Sequence, residues 1–266
     1  MQISDFFSHL WDDYIQMTPQ AEAIHNALRE RGETIVNDHV AFRTFNIGPA
    51  RLEKLEPFIL EMGYRRLEPY QFAAKKLNAV GYVPPQDDLP RIFISELRVE
   101  ELSSTVQTII HKLVEQIDES AVNDTSLFWR GRLWSTPSIE EYQALLHESE
   151  YAAWLSIIGL RANHFTIDIN KLNSITEVSQ MNTFIEELGF NINTSGGAVK
   201  GSPAVLLEQS STKASRAEME FANGHREMVT TCYYEFAKRY FDDNGELYQG
   251  FVAASADKIF ESTYVN

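Results

Sequence analysis

The stretch Thr34-Ile-Val-Asn-Asp-His-Val-Ala-Phe-Arg-Thr-Phe45 alternates between two kinds of side chain, and Asn163-His-Phe-Thr-Ile-Asp-Ile169 does so again about 125 residues later. Period two is the mark of a strand whose faces meet different surroundings. In the first stretch His39, Ala41, Arg43 and Phe45 share a face, with Val40 and Phe42 on the other. In the second, His164, Thr166 and Asp168 share a face opposite Phe165, Ile167 and Ile169. Helix-patterned segments follow at 50–62 and 174–188, ending on the related phrases FILEMGYR (58–65) and FIEELGFN (184–191). From histidine to closing glycine the spacing is 24 residues for His39 to Gly63 and 25 for His164 to Gly189. Strand-like segments come next, near 66–83 and 91–97 in the first copy and at 202–212 and 230–239 in the second. The chain therefore reads as a duplicated β-α-β-β unit, with an offset too long for a solenoid repeat. Such halves commonly meet around a site.

Outward from this frame, residues 1–33 read as two helices. Ile3, Phe6, Phe7, Leu10, Trp11 and Tyr14 form one apolar stripe, and Thr18-Pro19 opens the second helix. Residues 101–158 read as mostly helical, with a capping box at Ser138 and Glu141. The aromatic and basic patch at 128–134 suits a strand, a covering flap or packing. The expected organisation is a single domain over 1–266, with a first module at 34–100, a helical connection at 101–160 and a second module at 161–240.

The 266 residues are 44% hydrophobic and 23% charged, which is a globular composition. A formal charge of −15 argues against nucleic acid and anionic membranes as partners. It also means that an anionic ligand needs a local cation to capture it. The one cysteine, Cys232, leaves no internal disulfide and no cysteine zinc site. No apolar run approaches the roughly 20 residues of a spanning helix. The opening MQISDFFSHLWDDY does not read as a signal peptide, so a cytoplasmic protein is expected.

Two imidazoles and one carboxylate make the facial triad of non-haem Fe(II) sites. The repeat selects His39 and His164 as the imidazoles. For the carboxylate, Glu235 in Tyr233-Tyr-Glu-Phe-Ala-Lys-Arg239 stands amid aromatic residues, where a charge is costly unless paired. Glu208, Glu220 and Glu96 compete with it. Gln209 and Ser211, on one face of 205–212, are placed to hydrogen-bond a ligand carboxylate.

DHVAFRTF (38–45), NHFTI (163–167), LLEQSSTKA (206–214), YYEFAKR (233–239) and GFVAASADKIFEST (250–263) resemble, in order, a family whose characterised members are 2-oxoadipate dioxygenase/decarboxylases, or hydroxyglutarate synthases, of lysine catabolism. The core of that family is similar to the vicinal oxygen chelate fold. The resemblance thus implies an α+β protein, with duplicated βαβββ modules forming a curved sheet around a metal site and added helices. It implies Fe(II) held by His39, His164 and Glu235, with Arg43 as the arginine that receives the substrate carboxylate and serves catalysis. The implied reaction is the oxidative decarboxylation of a 2-oxo dicarboxylate by O2, 2-oxoadipate giving 2-hydroxyglutarate and CO2. The alternatives are another metal-dependent hydrolase or isomerase of the same fold acting on a small oxo acid, or a non-enzymatic binder of a small acid.

Overall fold

The structure is a computed structural model and describes residues 2–264. Helices α1 (Ile3–Met17) and α2 (Pro19–Glu30) come first. α1 buries Phe6, Leu10 and Tyr14, each four residues from the next on one stripe, and Pro19 at the start of α2 makes the break between them. The first module is β1 (Asn37–Phe45), α3 (Leu52–Glu61), β2 (Arg65–Phe72), β3 (Leu77–Val83) and β4 (Arg91–Leu97). Helices α4 (Ser104–Val114), α5 (Ile139–Glu148) and α6 (Glu150–Ile158) connect the modules, and the Ser138–Glu141 capping box opens α5. The second module is β5 (Ala162–Asp168), α7 (Val178–Glu187), β6 (Lys200–Ser202), β7 (Leu207–Ser211), a hairpin of β8 (Arg216–Glu220) and β9 (Arg226–Thr230), and then β10 (Tyr233–Arg239). A short α8 (Ala253–Ile259) and a 3-10 turn over Phe260–Thr263 follow.

Eight strands form one curled sheet in the order β2-β3-β4-β1-β5-β10-β7-β6, and β8–β9 forms its own two-stranded sheet. The order is a mirrored pair of βαβββ modules. β1 and β5 pair antiparallel at the centre, while β4 and β10 run parallel to them on either side. The central register sets His39 opposite Thr166 and Ala41 opposite His164. Exchanging the modules maps one pair onto the other, so the repeat seen in sequence is a two-fold in space.

The residues 202–212 were expected to form one strand, but the chain reverses within them. Leu206 adopts φ +61°, and Lys76 adopts φ +57° at the matching corner between β2 and β3. These are the two non-glycine residues with positive φ among those described, a strained choice repeated in both modules. The stretch 230–239 is likewise divided, since β9 ends at Thr230 and β10 begins at Tyr233. The aromatic patch at 128–134 is packing. Phe128 lies edge-on to Phe6 and Phe42, and the Trp134 indole donates to the Ser156 carbonyl at 2.8 Å. No helix among the described residues is long and apolar enough to cross a membrane.

Candidate metal centre and its surroundings

Three adjacent strands, β1, β5 and β10, build the site row by row. His39, Thr166 and Glu235 stand in one row, and Ala41, His164 and Tyr233 in the next. The His39 Nε2 lies 3.6 Å from Glu235 Oε1, and the His164 Nε2 lies 3.2 Å from Glu235 Oε2. One donor atom from each of the three residues falls within 4.8 Å of the others, and all three side chains are buried.

The residue before each histidine sets its ring. Asp38 Oδ2 is 2.7 Å from His39 Nδ1, and Asn163 Oδ1 is 3.0 Å from His164 Nδ1. A carboxylate or amide oxygen only accepts, so each Nδ1 carries the proton and each Nε2 lone pair faces inward. The Thr166 hydroxyl, 3.1 Å from His39 Nε2, is the donor to one of those lone pairs. Asp38 is itself gripped by Arg239 through Nε at 2.6 Å and Nη2 at 3.0 Å, and by Arg91 at 3.3 Å. Burial opposes its charge, but the Arg239 guanidinium, the His39 hydrogen bond and Arg91 hold its carboxyl well below the usual range.

Burial pushes the Glu235 carboxyl up to about 7, against the pull of His39 and a 2.5 Å hydrogen bond from Gln209 Nε2 to Oε1. Its Oε2 accepts no hydrogen bond. Burial, His39 and Arg43 push His164 well below the ordinary imidazole value, so it stays neutral. Two imidazoles whose Nε2 atoms face inward and a buried carboxylate with an unused oxygen are a donor set that suits a divalent metal. Among the competing carboxylates, Glu208 accepts from the Tyr240 hydroxyl at 2.6 Å and Glu96 from the Leu52 amide at 3.2 Å. Glu220 is exposed and pairs with Arg226 at 3.0 Å. Glu96 is not the two-fold counterpart of Glu235: in the first module that place is taken by Phe93, opposite Ala41 as Glu235 is opposite Thr166.

Arg43 is buried beside this centre. Its Nη1 is 3.4 Å from each carboxylate oxygen of Glu150, its Nη2 donates to Thr263 at 3.2 Å, and its Nε has no acceptor. The rings of Tyr151 and Trp154 lie 5.0 Å from its guanidinium carbon. Gln209 borders the metal cavity but spends its amide nitrogen on Glu235. The Ser211 hydroxyl lies 2.7 Å from that of Ser262, turned toward the C-terminal segment. The cavity over the triad is lined on its other sides by Phe93, Phe251, Ile259 and Phe260 and has room for about 20 Å³, the space of one water.

Sequence reasoning did not find Asp38, Asn163, Tyr233 or the C-terminal cover. The first two had a signal: an oxygen-bearing residue precedes the histidine in both copies. The cover had none, because nothing local says that residues 251–260 fold back over strands more than 200 residues earlier.

Residues 3–246 match the model of a family described as 2-oxoadipate dioxygenase/decarboxylase. The chloroplastic/amyloplastic 2-oxoadipate dioxygenase/decarboxylase of Oryza sativa subsp. japonica is 40% identical, over 94% of this chain and 75% of that one. The crystal structure of the Oryza sativa hydroxyglutarate synthase in complex with 2-oxoadipate superposes with a TM-score of 0.90 at 36% identity, covering 97% of this chain and 91% of that one. A Shewanella frigidimarina protein provisionally described as a hydrolase superposes with the same TM-score at 46% identity, covering 95% of this chain and 98% of that one.

Proposed function

The chain belongs to the 2-oxoadipate dioxygenase/decarboxylase family, and on that premise we propose that it is an Fe(II)-dependent enzyme that oxidatively decarboxylates a 2-oxo diacid, 2-oxoadipate first among them. The observation that carries the reading is one buried face bearing both a complete His39–His164–Glu235 donor set and a guanidinium with a hydrogen bond to spare. Bound Fe(II) would supply the one-electron chemistry by which O2 reacts with an otherwise closed-shell oxo acid. The balance is 2-oxoadipate and O2 giving 2-hydroxyglutarate and CO2, with no second co-substrate.

The protein's own groups do the rest. Asp38 and Asn163 hold the two imidazoles in the tautomer that offers Nε2, and Gln209 fixes the rotation of Glu235. Arg43 takes the distal carboxylate. Its contacts to Glu150 are long, so a substrate carboxylate replaces a weak partner with a charge-assisted fork. In a protein of charge −15, this fixed cation makes an anionic substrate tolerable. Phe93, Phe251 and Phe260 keep water from the reacting end.

The test is metal analysis of anaerobically purified protein, then O2 uptake and CO2 release with a series of 2-oxo acids. Stoichiometric coupling of O2 consumed to CO2 released, with iron and not with zinc, is expected. Turnover without O2, supported by zinc, would show a hydrolase or isomerase instead.

A further inference from the structure

We infer that Tyr233 is a substrate-binding residue, its phenol donating a hydrogen bond to the same distal carboxylate that Arg43 receives. The inference rests on the reading of this site as one for a 2-oxo diacid. Tyr233 is fully buried, and its ring lies on that of His164, centroids 4.5 Å apart and planes 22° from parallel. It borders the cavity over the metal triad. Its hydroxyl has no hydrogen-bond partner, a state that native interiors rarely leave uncorrected.

The strand register says what that hydroxyl faces. Glu235, Thr166 and His39 form one row; Tyr233, His164 and Ala41 form the next; Arg43 lies one step further along β1. Successive same-face residues on a strand are roughly 6.7 Å apart. A diacid held by its 2-oxo end at the first row and by Arg43 at the third lays its chain across the Tyr233 row. Ala41 keeps that row open, since a methyl group is all that stands there from β1. Of the other donors nearby, Gln209 directs an N–H to Glu235 and Thr263 donates to the Phe260 carbonyl. A phenol is protonated at working pH and so is a donor.

Tyr233→Phe keeps the ring on His164 and removes only the hydroxyl. Because that hydroxyl has no protein partner, the melting temperature is expected to hold or rise, whereas a structural role would lower it. Metal affinity should stay within about twofold. The kcat/KM for 2-oxoadipate should fall about 10- to 100-fold, as loss of one hydrogen bond to a charged group does. Calorimetric binding of 2-oxoadipate to the Zn(II)-loaded protein should weaken by the same factor. For 2-oxohexanoate, a monoacid of equal length, both readouts should change less than about threefold, since no distal carboxylate is present. Unchanged diacid binding, or equal losses on diacid and monoacid, overturns the inference. Wild-type protein that neither binds nor consumes 2-oxoadipate overturns instead the reading on which it rests.

Discussion

The two modules present the same strand to the same cavity and then diverge. β1 reads Asp38, His39, Ala41, Arg43; β5 reads Asn163, His164, Thr166, Asp168. What is shared is the imidazole and the oxygen at its Nδ1. What differs is the neighbouring strand, where β4 offers Phe93 and β10 offers Glu235 in the equivalent place, and the far end, where Arg43 is matched by Asp168. A duplicated scaffold thus places two histidines by symmetry. Breaking the symmetry places a carboxylate on one side and an apolar wall with a cation on the other.

The two histidines are what the modules share, and their removal has the largest expected effect. His39→Ala and His164→Ala are each expected to cut metal affinity on the order of 1000-fold, at several kcal/mol per ligand, with far-UV circular dichroism unchanged. Unequal losses would mean that one module holds the metal without the other. Glu235→Ala should be as severe, while Glu96→Ala should leave metal content intact, because only one module carries the carboxylate.

Arg43→Lys tests the other asymmetry. It keeps the charge and loses the planar fork. Iron loading should persist while kcat/KM for a 2-oxo diacid falls roughly 30- to 1000-fold. Loss of iron along with activity would place Arg43 in the support of the metal rather than of the substrate.

A smaller effect is expected where the two histidine supports differ. Asn163→Ala removes the partner of His164 Nδ1 and should weaken metal binding about 10- to 100-fold. Asp38 is a poor subject for the same experiment, since it also neutralises Arg91 and Arg239, and its removal leaves buried cations unpaired. The modules are equivalent in geometry and unequal in what else hangs on them.

Asp168, the counterpart of Arg43, gives the mildest test. Burial and the nearby Asp38 charge push its carboxyl up to about 6 from 3.8. The folded state therefore holds the proton more tightly than the unfolded chain. Its contribution to stability is whole below pH 3.8 and is lost as pH rises through about 6. Asp168→Asn should stabilise the protein by up to about 3 kcal/mol at neutral pH and by little near pH 4, measured by urea unfolding across that range. A uniform effect at all pH values would mean that the substitution acts through packing instead.

Much of this was legible early. Period two in 38–45 and 163–169 assigned faces that the register upholds, and the matching FILEMGYR and FIEELGFN helices revealed the duplication. His39 and His164 followed from the repeat alone. The carboxylate of the cluster did not, because acidic residues stand on several strands and only pairing partners separate them. Glu208 and Glu96 are each satisfied by a hydrogen bond elsewhere, while Glu235 keeps an unused oxygen. The reversal at Leu206 was hidden because a left-handed leucine has no sequence signature such as glycine gives. The β8–β9 hairpin was missed because its strands are short, charged and largely exposed.

The sequence by itself determined the local terms: which residues alternate, where helices begin, that two halves repeat, and that an acidic chain needs a cation for an acidic ligand. Those follow from backbone periodicity and side-chain chemistry, which act over a few residues. Tertiary structure alone decided which atoms share a cavity. Pairing β1 with β5 brought His39 beside Thr166, pairing β5 with β10 set Glu235 across from both histidines, and the C-terminal segment brought Phe251, Ile259 and Phe260 over them. Strand register and chain return are set by the fit of the whole core, so no window of sequence contains them.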